Sequence, residues 1–335
     1  MTTGKRFLQN GAASVCLLLS AAGYLLWGCD PTPQPPGQPH SGYGSPETYI
    51  SDSYSAESVG DESDGSLAWY YIPGVLKNTT SAPVVIFLHG HTATDPGTYR
   101  GHIRHLLRQG CIVIYPVFQL SGAMALWNDL DQNAMLQRAT ASSAEALNAL
   151  GDRADRDNVV VYGHSLGGLL ALCWTKAGGN PAARIVTANA NLDPSTGIPE
   201  QVIGLVTLID YAAMVPATTA PVILLWGDAD TQIAPLSQQQ EAYDLLTQAA
   251  SKVLYMAQSD GHGLPGLTAD HGAAVQVPPA GTGATGEDAL DFRFFYAALD
   301  AALDGQDGLS FDPGDWSDGT PVKPVVQLLP KVSGK

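Results

Sequence analysis

The chain has 335 residues, 45% apolar and only 14% charged, with 16 basic against 32 acidic side chains and a formal charge of −16. That acidic excess argues against a nucleic-acid binder, whose affinity rests largely on Lys and Arg neutralising phosphates. The 36 glycines and 23 prolines are not periodic, which excludes collagen and repeat arrays, and four cysteines without a CxxC pair make neither a disulfide scaffold nor a metal knuckle.

Lys5 and Arg6 precede an uncharged run from Phe7 to Gly28 that contains Val15-Cys16-Leu17-Leu18-Leu19. A charged segment followed by an apolar one reads as an export signal over residues 1–28. It ends Leu25-Leu26-Trp27-Gly28-Cys29, which resembles a bacterial lipoprotein signal. The resemblance implies lipidation of Cys29, membrane attachment through it, and a place in the cell envelope. A plain secretory signal or an uncleaved anchor helix are the alternatives, and both also export the chain. Residues 29–68 hold five early prolines and seven acids with no Lys or Arg. They read as an extended acidic tether whose second half supplies an edge strand around Tyr49-Ile50 or Tyr54.

From Trp69 the pattern changes to alternating strands and helices. Short continuous apolar runs predict buried strands at Pro83–Leu88, Cys111–Pro116, Asn158–Tyr162, Ala183–Ala188, Pro221–Trp226 and Lys252–Met256. Helices are expected at Tyr99–Gln109, Asp129–Leu150, Ser165–Ala177 and Glu287–Leu303, with Gly110, Gly151 and Gly178-Gly179 as stops. Non-alternating strands separated by helices imply an α/β domain, a mostly parallel sheet covered on both faces, over residues 69–305. Residues 306–335 are rich in Pro, Gly and Asp and read as a tail on the surface. Between Asn191 and Pro221 there is room for a short lid, with a helix near Ile203 to Tyr211, but no full cap domain.

Gly163-His164-Ser165-Leu166-Gly167 fits G-x-S-x-G and stands between an expected strand and an expected helix. The turn there is so tight that small residues must flank the serine, and it pushes Oγ out over the sheet edge. A serine hydroxyl needs a base, and the base needs an orienting acid, in the chain order Ser, acid, His. Loops after later strands supply them: Gly227-Asp228-Ala229-Asp230, then Ser259-Asp260-Gly261-His262-Gly263. Asp230 is preferred over Asp228, which is closer to the strand and suited to capping its own loop. His262, between two glycines, is preferred as the base, and His271, nine residues later, is the alternative. The backbone N–H groups of Leu166 and His91 are the expected oxyanion donors. His89 is read as a brace for that loop. Trp127, Trp174 and Trp226 either line the cleft or pack the core. Cys111 and Cys173 read as buried free thiols, with a disulfide, which export would permit, as the alternative.

Together HGHT, GHSLGG, GDAD and GHG, in this order over Trp69 to Leu303, resemble the α/β-hydrolase family. Phe87-Leu-His-Gly-His-Thr-Ala, Tyr99-Arg-Gly-His-Ile and Leu192-Asp193-Pro194 are similar to its dienelactone-hydrolase, chlorophyllase and polyester-hydrolase branch. Tyr115-Pro-Val-Phe-Gln119 departs from it, since many members carry an Asp at that strand end. The resemblance implies a doubly wound hydrolase sheet and an esterase with Ser165, Asp230 and His262 as its triad. It implies no cofactor and no metal, an ester substrate with room for bulky or polymeric esters, and a monomer. A peptidase or acyltransferase with the same triad, or a non-catalytic surface lipoprotein, are the other readings.

Overall fold

The computed structural model describes residues 32–120, 129, 131–193, 204, 206–277 and 286–333. The signal, Cys29 and Trp127 lie outside them. The strands are β1 Tyr54–Val59, β2 Ala68–Pro73, β3 Ala82–Leu88, β4 Ile112–Pro116, β5 Ala154–His164, β6 Arg184–Ala188, β7 Val222–Gly227, β8 Ser251–Ala257 and β9 Val326–Ser333. They form one nine-stranded sheet in the order β1-β2-β4-β3-β5-β6-β7-β8-β9. Pairing is parallel from β4 through β8 and antiparallel at the edges, where β1, β2 and β9 sit. The architecture is therefore α/β, as the alternation of apolar runs predicts.

The continuous apolar strands are explained by two cores, one on each face. In β3, Val84, Ile86 and Leu88 point into one and Val85 and Phe87 into the other. Helices α2 (Gln132–Leu150), α3 (Leu166–Cys173) and α4 (Leu236–Leu245) cover the first face. Helix α1 (Arg100–Arg108) and α5 (Ala297–Leu303), the latter continuing a π-helical turn at Asp291–Tyr296, cover the second. Helix α2 starts at Gln132, not Asp129, because Asp131 is its cap, accepting from the N–H groups of Asn133 (2.9 Å) and Ala134 (3.1 Å). Asp129 is instead buried against Arg138, at 2.6 Å.

The edge strand lies at Tyr54–Val59, the second of its two expected places, while Tyr49-Ile50 is held outside the sheet by the bond from Ile50 N–H to the Arg108 carbonyl. Two expectations need correction. The tether does not run free to residue 68. From Pro33 the chain belongs to the main compact unit. The Gly37 carbonyl accepts from Arg293 (2.9 Å) and Gly44 N–H donates to the buried Asp300 carboxylate (2.7 Å). Backbone groups of the segment, which composition does not display, make these two contacts, and its side chains add others, Tyr49 Oη to His105 Nδ1 at 2.9 Å and Asp52 to Arg108 at 2.6 Å. The tail is also more than a surface wrap, because β9 adds an antiparallel strand to β8. Pro330 within it disguises the strand, since proline is admitted only where no ladder bond is required of its nitrogen.

Residues 194–203 and 205 of the expected lid lie outside the described residues. The helix expected near Ile203 to Tyr211 also needs correction. Val206 to Asp210 is not helical, with Thr207 bridged to Asp131, and the single helical turn follows at Tyr211–Met214, where the Asp210 side chain caps it. Trp174 and Trp226 are buried, their indole N–H groups donating to the carbonyls of Asn180 and Ala234 at 2.9 Å each, so both belong to the core. Cys111 and Cys173 are buried free thiols, and burial pushes each up to about 12. No helix among the described residues is long and apolar enough to cross a membrane.

Candidate active site

Ser165 stands between β5 and α3 with φ 56° and ψ −121°. A non-glycine residue there costs on the order of 1–3 kcal/mol, and the surroundings must enforce it. They do so through glycines. A methyl group on Gly163 would fall inside contact distance of the Gly167 carbonyl, and one on Gly167 inside that of the Leu88 carbonyl. Helix α3 can thus begin directly against the end of β3. We expect Gly167→Ala to lower stability by about 3 kcal/mol, because backbone rather than a movable side chain blocks the methyl. A urea midpoint within error of the parent would contradict this.

The end of β3 carries the loop His89-Gly90-His91-Thr92. It lies against the turn, since a methyl group on Gly90 would stand 3.3 Å from Ser165 Cβ. Thr92 has φ 66°, unusual for a β-branched residue, and its N–H donates to Gln119 Oε1 at 2.7 Å. Gln119, which departs from the expected Asp, therefore holds this loop in shape. Among the described residues, neither His91 nor Leu166 uses its backbone N–H on a protein acceptor. Leu166 is the first residue of α3, where helix N–H groups have no internal partner. Both candidate oxyanion donors are thus free. His89 is fully buried, stacked on Phe118 with centroids 4.0 Å apart, and its Nδ1 contacts the Gly90 carbonyl at 2.7 Å. Burial lowers its pKa to about 4, so it is a neutral brace.

The partner of Ser165 differs from the sequence expectation. His271 Nε2 lies 2.8 Å from Ser165 Oγ, and His271 Nδ1 lies 2.6 Å from Asp230 Oδ2. Asp230 is only 2% exposed, and its other oxygen accepts from Ala234 N–H at 3.0 Å. Asp230 is thus where the spacing puts it. Asp228 does not cap its own loop as expected: its carboxylate accepts from Ser259 N–H (2.8 Å) and Ser259 Oγ (2.6 Å) and so ties the loop after β7 to the loop after β8.

His262 is not in this cluster. Its Nε2 contacts Asp318 at 2.8 Å and its ring lies edge-on to Trp316. The reason is lateral distance. Three inter-strand steps separate β8 from β5, or about 14 Å at ~4.8 Å each. His262 comes only five residues after β8 ends at Ala257, on a hairpin closed by the Asp260–Leu267 bridge. The chain needs the further nine residues to travel back across β7 and β6. Asp260 uses its carboxylate on the tail. Burial alone would raise its pKa, but the Lys323 N–H, the Trp316 indole and the His262 N–H lower it.

Three successive carbonyls hold the returning segment in place. Ala229 N–H donates to Ala269 (3.0 Å), Asn189 Nδ2 to Asp270 (2.9 Å), and His164 Nε2 to His271 (2.8 Å). Asn189, with φ 47°, also accepts from Gly227 N–H at 3.0 Å, which ties the end of β6 to the loop carrying Asp230. Beyond His271, Gln276 is buried between Gly101 N–H (3.2 Å) and Asp291 Oδ1 (2.6 Å). Sequence reasoning missed Asn189, Gln119 and Gln276, whose partners are remote. Among the described residues no group of His, Cys, Asp and Glu could hold a metal ion.

The arrangement can pass a proton from Ser165 Oγ to His271 Nε2 while Asp230 steadies the ring through Nδ1. Ser165 is 6% exposed, so it is mostly shielded from water. No protein-family model matches the chain, and no curated protein matches it.

Proposed function

We propose that the protein is a serine hydrolase of the α/β-hydrolase type that cleaves carboxylic esters. The observation that carries this is the unbroken contact from Ser165 Oγ through His271 to buried Asp230, at 2.8 and 2.6 Å. The strained turn at Ser165, the order Ser, Asp, His and two free N–H donors beside the serine support the same reading.

Ser165 Oγ attacks the ester carbonyl carbon, and its proton passes to His271 Nε2. Asp230 fixes the tautomer and stabilises the imidazolium. The N–H groups of His91 and Leu166 stabilise the oxyanion as it forms. The bond to the leaving oxygen breaks, and His271 returns the proton to it, releasing the alcohol. Water, deprotonated by His271, then adds to the acyl-enzyme. Ser165 leaves with the proton and the carboxylic acid departs. The leader ending at Cys29 supports an exported protein anchored by lipid.

A chain-length series of nitrophenyl esters, run beside the matching anilides, tests the reading. We expect ester turnover that is lost by at least about 10³-fold in Ser165→Ala. Turnover of anilides in preference to esters would point to a peptidase. Equal rates for wild type and Ser165→Ala would end the proposal.

A further inference from the structure

We infer that Tyr99 and His164 form a one-way hydrogen-bond relay that sets the position of His271 from the oxyanion loop, making both residues positioning residues for the proposed reaction. The inference rests on the serine-hydrolase reading above.

The relay has three links between four residues. Gly90 N–H lies 2.9 Å from Tyr99 Oη, Tyr99 Oη lies 2.8 Å from His164 Nδ1, and His164 Nε2 lies 2.8 Å from the His271 carbonyl oxygen. Its ends fix its direction. A backbone N–H can only donate, and a carbonyl can only accept. Tyr99 must therefore accept from Gly90 and spend its single proton on His164 Nδ1. His164 must then carry its proton on Nε2 and give it to His271. No other placement of protons satisfies all three contacts with neutral rings, and bonds aligned in one direction strengthen one another.

Both middle residues are buried: Tyr99 is fully covered and His164 is 4% exposed. Burial lowers the His164 pKa to about 3, so the ring stays neutral. Neutrality matters because the His164 and His271 rings have centroids only 5.1 Å apart. A charged His164 would oppose the imidazolium that must form on His271. The relay begins at Gly90, next to the candidate oxyanion donor His91, and ends on the backbone of the proposed base. Shifting either end shifts the other, so donor and base keep their common geometry around Ser165. A misplacement of about 1 Å in such a constellation can cost about 100-fold in rate.

The test is a double-mutant cycle on the full chain with Tyr99→Phe and His164→Leu, reading kcat and KM for a nitrophenyl ester. Tyr99→Phe removes one oxygen and keeps the ring packed against Phe87. We expect kcat to fall about 10- to 100-fold with KM held within about twofold, since positioning acts on the transition state. The two changes should also be strongly non-additive, because without His164 the Tyr99 hydroxyl has nothing to orient. Each variant is checked by circular dichroism. If His164→Leu does not fold, Tyr99→Phe with its kcat and KM carries the test alone. An active wild type with unchanged kcat in Tyr99→Phe, or fully additive losses, overturns the relay and leaves the hydrolase reading standing. A wild type without turnover overturns both.

Discussion

His271→Ala should lower ester turnover by about 10⁴-fold or more, while His262→Ala should leave it within about threefold. The contrast follows from geometry alone. His271 Nε2 contacts Ser165 Oγ at 2.8 Å, whereas His262 Nε2 contacts Asp318, in the C-terminal tail, at 2.8 Å. Removing His271 leaves Ser165 without a proton acceptor and Asp230 buried without its partner. Removing His262 frees an exposed aspartate that water can solvate. Asp318, held down to about 2 chiefly by its bond to His262, should return towards the ordinary carboxylate range. Steady-state kinetics on the two variants decides the matter. Loss of turnover in His262→Ala at unchanged folding would contradict the assignment.

The second large effect is on acid stability. Burial holds His89 at about 4 and His102 and His164 at about 3, against about 6.5 for a free imidazole. Below about pH 6.5 the unfolded chain takes up protons at these rings and the native one does not. Where the unfolded state binds more protons, stability rises with pH, so it is lost as pH falls from about 6.5 towards 4. Asp291 and Asp288 act in the opposite sense. Burial raises both, Asp291 well above an ordinary aspartate, so the native state keeps protons that the unfolded chain releases above about pH 4. Burial lowers His91 as well, so four rings stand against two carboxyls and the balance is a loss of stability as pH falls. Urea unfolding at half-unit steps between pH 7 and 4.5 should show the midpoint falling steadily. A flat midpoint over that range would contradict the burial of these histidines as neutral rings.

What the sequence made legible was local. The turn at Ser165 is written in consecutive residues, because Gly163 and Gly167 are required by backbone atoms close at hand. Asp230 is equally local, standing three residues past the end of β7 at Gly227. His271 is not local. Whether a loop histidine reaches Ser165 depends on how far the chain must travel across β7 and β6. The glycines around His262 mark a tight hairpin as readily as an active-site loop. Asn189 and His164 hold His271 by donating to main-chain carbonyls, which every residue carries, so no pairing of side-chain types announces them. The β9 strand and the backbone contacts of the docked segment from Pro33 were hidden for the same reason.

The central claim is that His271 and Asp230 activate Ser165, and the most direct measurement is covalent labelling by a fluorophosphonate, read by intact mass and peptide mapping. The account predicts one adduct, on Ser165, absent in Ser165→Ala, formed at the parent rate in His262→Ala and slowed by orders of magnitude in His271→Ala. An unlabelled parent, or a His271→Ala variant labelled as fast as the parent, would contradict it.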